Sequence, residues 1–236
     1  MRVKGKVNSI QSLAALDGPG VRFAVFLQGC NLRCGCCHNP DTHVLDGGTE
    51  YFAEEIISKA VRYKEYFGKE GGITVSGGEP LLQTEFVTEI FSLAHDNGIN
   101  TCLDTSGSII NDEVIALLDE CDRVMLDIKY TEDEQYQKYV GCSIEKPLAF
   151  LKILSDKNIP TTIRQVIIPT INDTKESVLA LKDIVKRHSC VDKVELLAFR
   201  KMCSVKYDNL GKIFPFKDIP EPTKEKMEEL EALIKI

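Results

Sequence analysis

Nowhere does the 236-residue chain carry an apolar run near the roughly 18 residues that a membrane span needs. The opening stretch, MRVKGKVNSI, lacks the apolar core of a secretory signal. A membrane or secreted protein is therefore disfavoured, and the expected location is the cytoplasm. Basic charge is scarce as well: 29 Lys and Arg against 36 Asp and Glu leave a formal net charge of −7. Nucleic-acid affinity rests largely on Lys and Arg neutralising phosphates, so a nucleic-acid partner is disfavoured too. No Pro/Gly/Ser-rich linker, internal repeat or low-complexity segment breaks the sequence. At 43% hydrophobic content it reads as one domain over residues 1–236 with a sizeable core.

Six short apolar or β-branched runs stand out: Val21 to Gln28, Gly72 to Ser76, Asn100 to Thr105, Arg123 to Ile128, Thr161 to Ile168 and Lys193 to Ala198. Each reads as a parallel strand buried on both faces. Helical spacing lies between them, as in Phe52, Ile56, Ala60 and Tyr63 or Phe86, Ile90, Leu93 and Ala94. Further helices are expected near Asp112 to Leu118, Asp133 to Tyr139, Pro147 to Ser155, Lys175 to Arg187 and Thr223 to Ile234. The alternation predicts an α/β fold. About six units are too few for a complete eight-fold barrel, and periodicity alone leaves a doubly wound open sheet in play.

Nine cysteines in a chain without a secretory signal point to metal ligands and buried thiols rather than a disulfide framework. Four crowd into GCNLRCGCCHNPDT, Gly29 to Thr42, directly after the first of those strands. Cys30, Cys34 and Cys37 stand at C-x3-C-x2-C spacing. Three thiolates on one loop can wrap a 4Fe-4S cubane and leave its fourth iron open to chelate a substrate. A structural zinc site is the competing reading, but it needs a closed fourth ligand; His38 or His43 could supply it, since no second C-x2-C pair exists. A ferredoxin-like electron carrier ordinarily uses four cysteines.

With that loop, six ordered segments resemble the radical S-adenosylmethionine superfamily, and within it the activases of glycyl radical enzymes. They are DGPGVRF at Asp17 to Phe23, CHNPDT at Cys37 to Thr42, VSGGEP at Val75 to Pro80, TCLDTSG at Thr101 to Gly107, VMLDIK at Val124 to Lys129 and IRQVIIP at Ile163 to Pro169. The resemblance implies a partial (β/α)6 barrel, a 4Fe-4S cluster on Cys30, Cys34 and Cys37, and S-adenosylmethionine as cofactor. It places Gly77, Gly78 and Glu79 near the cofactor's amino group, and Lys129 and Arg164 at its carboxylate or ribose. Asp104, Thr105, Met125 and Asp127 would hold a monovalent cation, sodium or potassium. Cys36 stands where the family usually carries an aromatic residue near the adenine; Cys36, His38 and Arg200, the last in place of a family histidine, are further cofactor contacts. Asp17 would help hold the substrate backbone near the radical. Residues 42–71 contain no cysteine, so the ferredoxin-like insertion of several other activases is absent. The implied function is activation of formate C-acetyltransferase, by a monomer that takes its electron from flavodoxin or ferredoxin. The alternatives are an activase of another glycyl radical enzyme, such as anaerobic ribonucleotide reductase, and a non-enzymatic zinc or iron-sulfur module.

Overall fold

The computed structural model describes residues 2–235. They pack as two compact units, one of residues up to Asn31 with Thr42–Met125, the other of Leu32–Asp41 with residues from Leu126 onward. The first unit holds β1 (Lys4–Ala14), β2 (Arg22–Leu27), β3 (Thr49–Phe52), α1 (Ala53–Ala60), α2 (Lys64–Phe67), β4 (Gly72–Gly77), α3 (Thr84–Asp96), β5 (Asn100–Thr105) and α4 (Asp112–Leu117). The sequence boundary falls inside β6 (Arg123–Asp127). The second unit continues through α5 (Asp133–Tyr139), α6 (Glu145–Asp156), β7 (Thr161–Ile167), α7 (Lys175–Val185), β8 (Val191–Ala198), α8 (Ser204–Asn209) and α9 (Lys224–Ile234).

The strand order is β3-β1-β2-β4-β5 in the first unit and β6-β7-β8 in the second. β2 pairs β4 in parallel from Arg22↔Gly72 to Leu27↔Gly77, and β4 pairs β5 in parallel from Gly72↔Asn100 to Val75↔Leu103. β7 and β8 are also parallel. The result is an α/β fold in which these β/α strand pairs run parallel within each unit.

Continuous apolar runs become doubly covered strands: in β2, RFAVFL, only Phe26 is more than slightly exposed. α1 turns Ala53, Ile56, Ile57 and Ala60 inward, and α3 turns Phe86, Val87, Ile90, Phe91 and Ala94 inward. Each large side chain so buried contributes about 1.5–3 kcal/mol. Side-chain caps set helix starts where propensity alone would not, Asn111 accepting from Val114 N–H and Thr174 from Ser177 N–H.

All six anticipated strands are present, and two more among the described residues are not legible in the sequence. β1 pairs antiparallel with β2 and β3, so it alternates polar and apolar residues (KGKVNSIQSLA) and carries no buried run. β3 has only four residues, none buried. The short helices α2 and α8 likewise lack a full periodic stripe.

Candidate active site

In the first unit, the end of β2 and the Gly-Gly turn after β4 meet backbone to backbone. Gly29 donates its N–H to the Thr42 carbonyl at 2.9 Å and accepts the Glu79 N–H at 2.9 Å, while Gly78 donates to the Leu27 carbonyl at 3.0 Å. A Cβ on Gly78 would lie 2.0 Å from the Gly29 carbonyl oxygen, and Gly77 sits at φ +109°. Only glycine fits such an approach. The turn that precedes Cys30 is thus set by the SGGEP segment.

Glu79 is buried, 1% exposed. Its carboxylate accepts Thr105 Oγ at 2.6 Å, Ser106 N–H at 3.0 Å, Ser106 Oγ and its own turn's Leu81 N–H at 3.2 Å. Burial pushes this carboxyl above the usual range, opposed by those four donors. The side chain therefore ties the turn after β4 to the turn after β5. Thr105 Oγ also accepts Gly107 N–H at 3.0 Å, and Asp104 accepts Ser76 Oγ at 2.7 Å. Asn31, next to Cys30, donates to Ser108 Oγ at 3.1 Å. Asp17 is half-buried in the turn before β2, its backbone carbonyl accepting Thr74 Oγ at 2.6 Å.

In the second unit, the rest of the cysteine loop is bonded to the end of α5. Arg33 and Gly35 donate their N–H groups to the Val140 and Tyr139 carbonyls at 3.2 and 2.8 Å, and Cys37 N–H returns to the Cys34 carbonyl at 3.1 Å. A Cβ on Gly35 would lie 2.5 Å from the Phe216 ring. Cys34 and Cys37 are half-buried, whereas Cys36 is buried and its thiol is pushed up to about 12 by that burial. His38 donates Nε2–H to the Arg200 carbonyl at 3.1 Å, and the exposed Arg200 guanidinium pairs with Glu221 at 2.7 Å. Lys206 braces the loop's far end, 2.9 Å from Asn39 Oδ1 and 3.2 Å from Asp41 Oδ1.

Asp127 ends β6 between two cations. Lys129 Nζ lies 2.8 Å from its Oδ2, and Arg164 reaches its Oδ1 through Nε at 3.1 Å and Nη2 at 3.0 Å. Burial would raise the carboxyl, but Arg164 and Lys129 outweigh it and hold Asp127 at about 2. For Lys129, burial pulls the ammonium down, while Asp127, Cys34 and Cys36 leave it above the usual lysine range. Met125 is buried in the same strand, on the first-unit side of the boundary.

Among the described residues, no group of three or more His, Cys, Asp or Glu side chains is gathered to hold a single metal ion; a cubane spreads its thiolates over separate iron atoms. In the second unit Tyr130 is 1% exposed, and its hydroxyl has no partner among the described residues. Its ring lies 5.5 Å from that of Tyr139, whose carbonyl holds Gly35, and Cys36 and Cys34 are its main electrostatic neighbours after burial itself. A buried hydroxyl left without an acceptor is costly, and a sulfur-rich group on this loop would offer one. The chemistry of the second unit's part of the loop, with Cys34 and Cys37 half-buried, fits thiolate ligation of an iron-sulfur cluster.

Nothing in the sequence singles out Ser106, Thr74, Arg22 or Lys206 for the site. Ser106 lies inside TCLDTSG, but nothing in that string says its hydroxyl turns to Glu79. The other three are linked to their partners only through the fold.

The match to the Radical SAM superfamily covers residues 24–181. A pyruvate formate-lyase-activating enzyme of Clostridium pasteurianum is 43% identical over 235 residues, 99% of this chain and 98% of that protein. The pyruvate formate-lyase 1-activating enzyme of Escherichia coli K12 is 38% identical over 237 residues, 99% of this chain and 96% of that one. Among solved structures, a radical SAM methyltransferase from Sphaerobacter thermophilus superimposes with a TM-score of 0.64 at 16% identity, covering 90% of this chain and 63% of that one, a likeness of fold. With the cysteine loop, the Gly-Gly turn and the Asp127 cluster laid out as above, the chain belongs to the radical SAM superfamily, in the branch of the pyruvate formate-lyase-activating enzymes.

Proposed function

We propose that this chain is a glycyl radical enzyme activase acting on formate C-acetyltransferase, from which it removes a hydrogen at a backbone glycine. The observation that carries the reading is the cysteine loop, three thiols at C-x3-C-x2-C spacing right after a parallel strand, with a fourth, Cys36, buried as a neutral thiol. A 4Fe-4S cluster on Cys30, Cys34 and Cys37, with S-adenosylmethionine at its open iron, would supply one-electron reductive cleavage and a carbon radical strong enough to take that hydrogen.

The chain's own residues bind, orient and exclude. Gly77 and Gly78 allow the backbone to come close to the cofactor's methionine amino group. Lys129 and Arg164 suit its carboxylate, since charge complementarity and Arg's paired donors favour such a group. Drawn to it, they would release Asp127, and Asp104, Thr105, Met125 and Asp127 would hold a monovalent cation, sodium or potassium; hard oxygens suit such an ion. Cys36, His38, Glu79 and Arg200 border the cofactor. Asp17 accepts a hydrogen bond from the substrate backbone, because a glycine offers no side chain to grip and its Cα hydrogen must still be placed. The protein works as a cytoplasmic monomer with flavodoxin or ferredoxin as reductant, and binds neither nucleic acid nor membrane; among the described residues no helix is long and apolar enough to cross one.

The test is anaerobic incubation of the reconstituted protein with S-adenosylmethionine, a strong reductant and formate C-acetyltransferase. Electron paramagnetic resonance should show a glycyl doublet on the partner. Cofactor cleavage without a doublet would overturn the choice of partner and leave the radical chemistry standing.

A further inference from the structure

Beneath the Asp17 turn lies the most deeply buried cation of the first unit. Arg22 is 0% exposed, and among the described residues its guanidinium donates to uncharged acceptors: Thr74 Oγ at 3.0 Å through Nε, the Glu70 carbonyl at 3.0 Å and Asn100 Oδ1 at 2.9 Å through Nη1, and the Ile73 and Asn100 carbonyls at 2.6 and 3.4 Å through Nη2. Burying a guanidinium is expensive unless its donors are paired. Five acceptors offset that cost, and they hold the side chain in one place.

The hydroxyl of Thr74 has only one proton. Arg22 Nε can only donate, so Thr74 Oγ must accept from it and turn its own proton to the Asp17 carbonyl at 2.6 Å. A donor that accepts from a cation is polarised and bonds more strongly. Thr74 is itself 0% exposed, in the middle of β4. The turn above it is seated on the same groups: a Cβ on Gly18, at φ +126°, would stand 3.5 Å from Arg22 Nε, Thr74 Oγ and Cys102 Sγ alike. At the other end, a Cβ on Gly20, at φ +67°, would lie 2.5 Å from Gly71 N. The turn is clamped at both ends, and Thr74 donates a side-chain hydrogen bond to Asp17's backbone.

We propose that Thr74, oriented by the buried Arg22, is a positioning residue for Asp17: it sets the backbone that presents this carboxylate to the substrate peptide. The inference rests on the reading of Asp17 as the residue that holds the substrate backbone. Thr74 does not touch substrate; it acts by holding Asp17 where the glycine Cα hydrogen is brought within reach. Misplacement of about an ångström costs abstraction up to about 100-fold.

The experiment compares wild type, Thr74→Val, Thr74→Ser and Asp17→Ala, each reconstituted with its cluster, using formate C-acetyltransferase as substrate. The readouts are glycyl radicals formed per S-adenosylmethionine cleaved, and KM for the partner protein. Valine keeps the shape of threonine and removes the hydroxyl, while serine restores it. Thr74→Val should lower the ratio roughly tenfold, at the mild end of the cost of misplacement, and raise KM, and Thr74→Ser should recover most of both. Amide exchange in Asp17–Gly20 should quicken in Thr74→Val and not in Thr74→Ser. A merely structural threonine would lower cleavage and radical formation together and leave the ratio unmoved, which overturns the proposal. A wild-type ratio in Thr74→Val alongside a lost doublet in Asp17→Ala refutes the positioning role and spares the Asp17 reading. A wild-type doublet in Asp17→Ala removes that reading, and the proposal with it.

Discussion

Arg164 approaches one carboxylate oxygen of Asp127 with two nitrogens, at 3.0 and 3.1 Å, while the other oxygen is left to Lys129. The pairing keeps Asp127 ionised far into acid, and this has a measurable sign. An aspartate whose folded-state pKa lies at about 2, below the ordinary 3.8, contributes stability that is present above pH 3.8 and is lost as pH falls through about 2. Arg164→Gln should cost about 2 kcal/mol near neutral pH, the scale of a charged hydrogen-bonded pair. Urea unfolding of the metal-free chain should show that gap closing between pH 4 and 2; a gap that persists at the acid end counts against the pairing.

Glu79 carries the opposite sign. Burial holds its carboxyl above the usual range, so its contribution is fully present below the unfolded pKa and fades as pH rises through the folded one. In Glu79→Gln the amide would face Ser106 N–H and Oγ with donors of its own, leaving buried donors unpaired at about 1–3 kcal/mol. The deficit relative to wild type should be largest in acid and narrow as pH rises, read from unfolding curves at several pH values. A deficit that widens with pH would contradict the assignment.

Cys30→Ala, Cys34→Ala and Cys37→Ala should each reconstitute without a cluster and cleave no cofactor. Cys36→Ala should keep both, because a buried thiol pushed up to about 12 resists becoming a thiolate ligand. Iron and sulfide analysis after anaerobic reconstitution checks this. A clustered, active Cys37→Ala beside an empty Cys36→Ala would reverse the ligand assignment.

Gly78→Ala drives a methyl into the Gly29 carbonyl, 2.0 Å from where its carbon would stand. The bonds from Glu79 N–H to Gly29 and from Gly29 N–H to Thr42 should loosen, at a cost of about 3 kcal/mol, as for an overpacked core site. Reconstitution should fall with stability, since that turn leads directly into Cys30. Wild-type melting and cluster content in Gly78→Ala would show that the two segments do not constrain each other.

Asp104→Ala or Asp127→Ala should weaken S-adenosylmethionine binding and abolish stimulation by sodium or potassium, with cluster content retained. Calorimetric titration of the reconstituted variants with and without added cation is the check. Unchanged affinity and cation response in both would remove the proposed ion site.

The sequence by itself determined the class of fold and the chemistry of the donors. Six apolar runs became the six strands that follow one another through β/α units, because a strand covered on both faces must be apolar along its whole length, and that needs no partner to be read. The three-cysteine spacing was equally local, since a loop of eight residues carries it whole. What only the tertiary structure decided depends on partners far apart in sequence. β1 and β3 were missed because an antiparallel strand with one polar face shows no apolar run. That the carboxylate of Glu79 ties its turn to Thr105 and Ser106, 26 and 27 residues on, is decided by folding. Arg22 and Thr74 look in sequence like an ordinary charge and an ordinary strand threonine. They become a clamp on Asp17 only when β2 and β4 align side by side, because a buried guanidinium must find its acceptors wherever the neighbouring strand offers them.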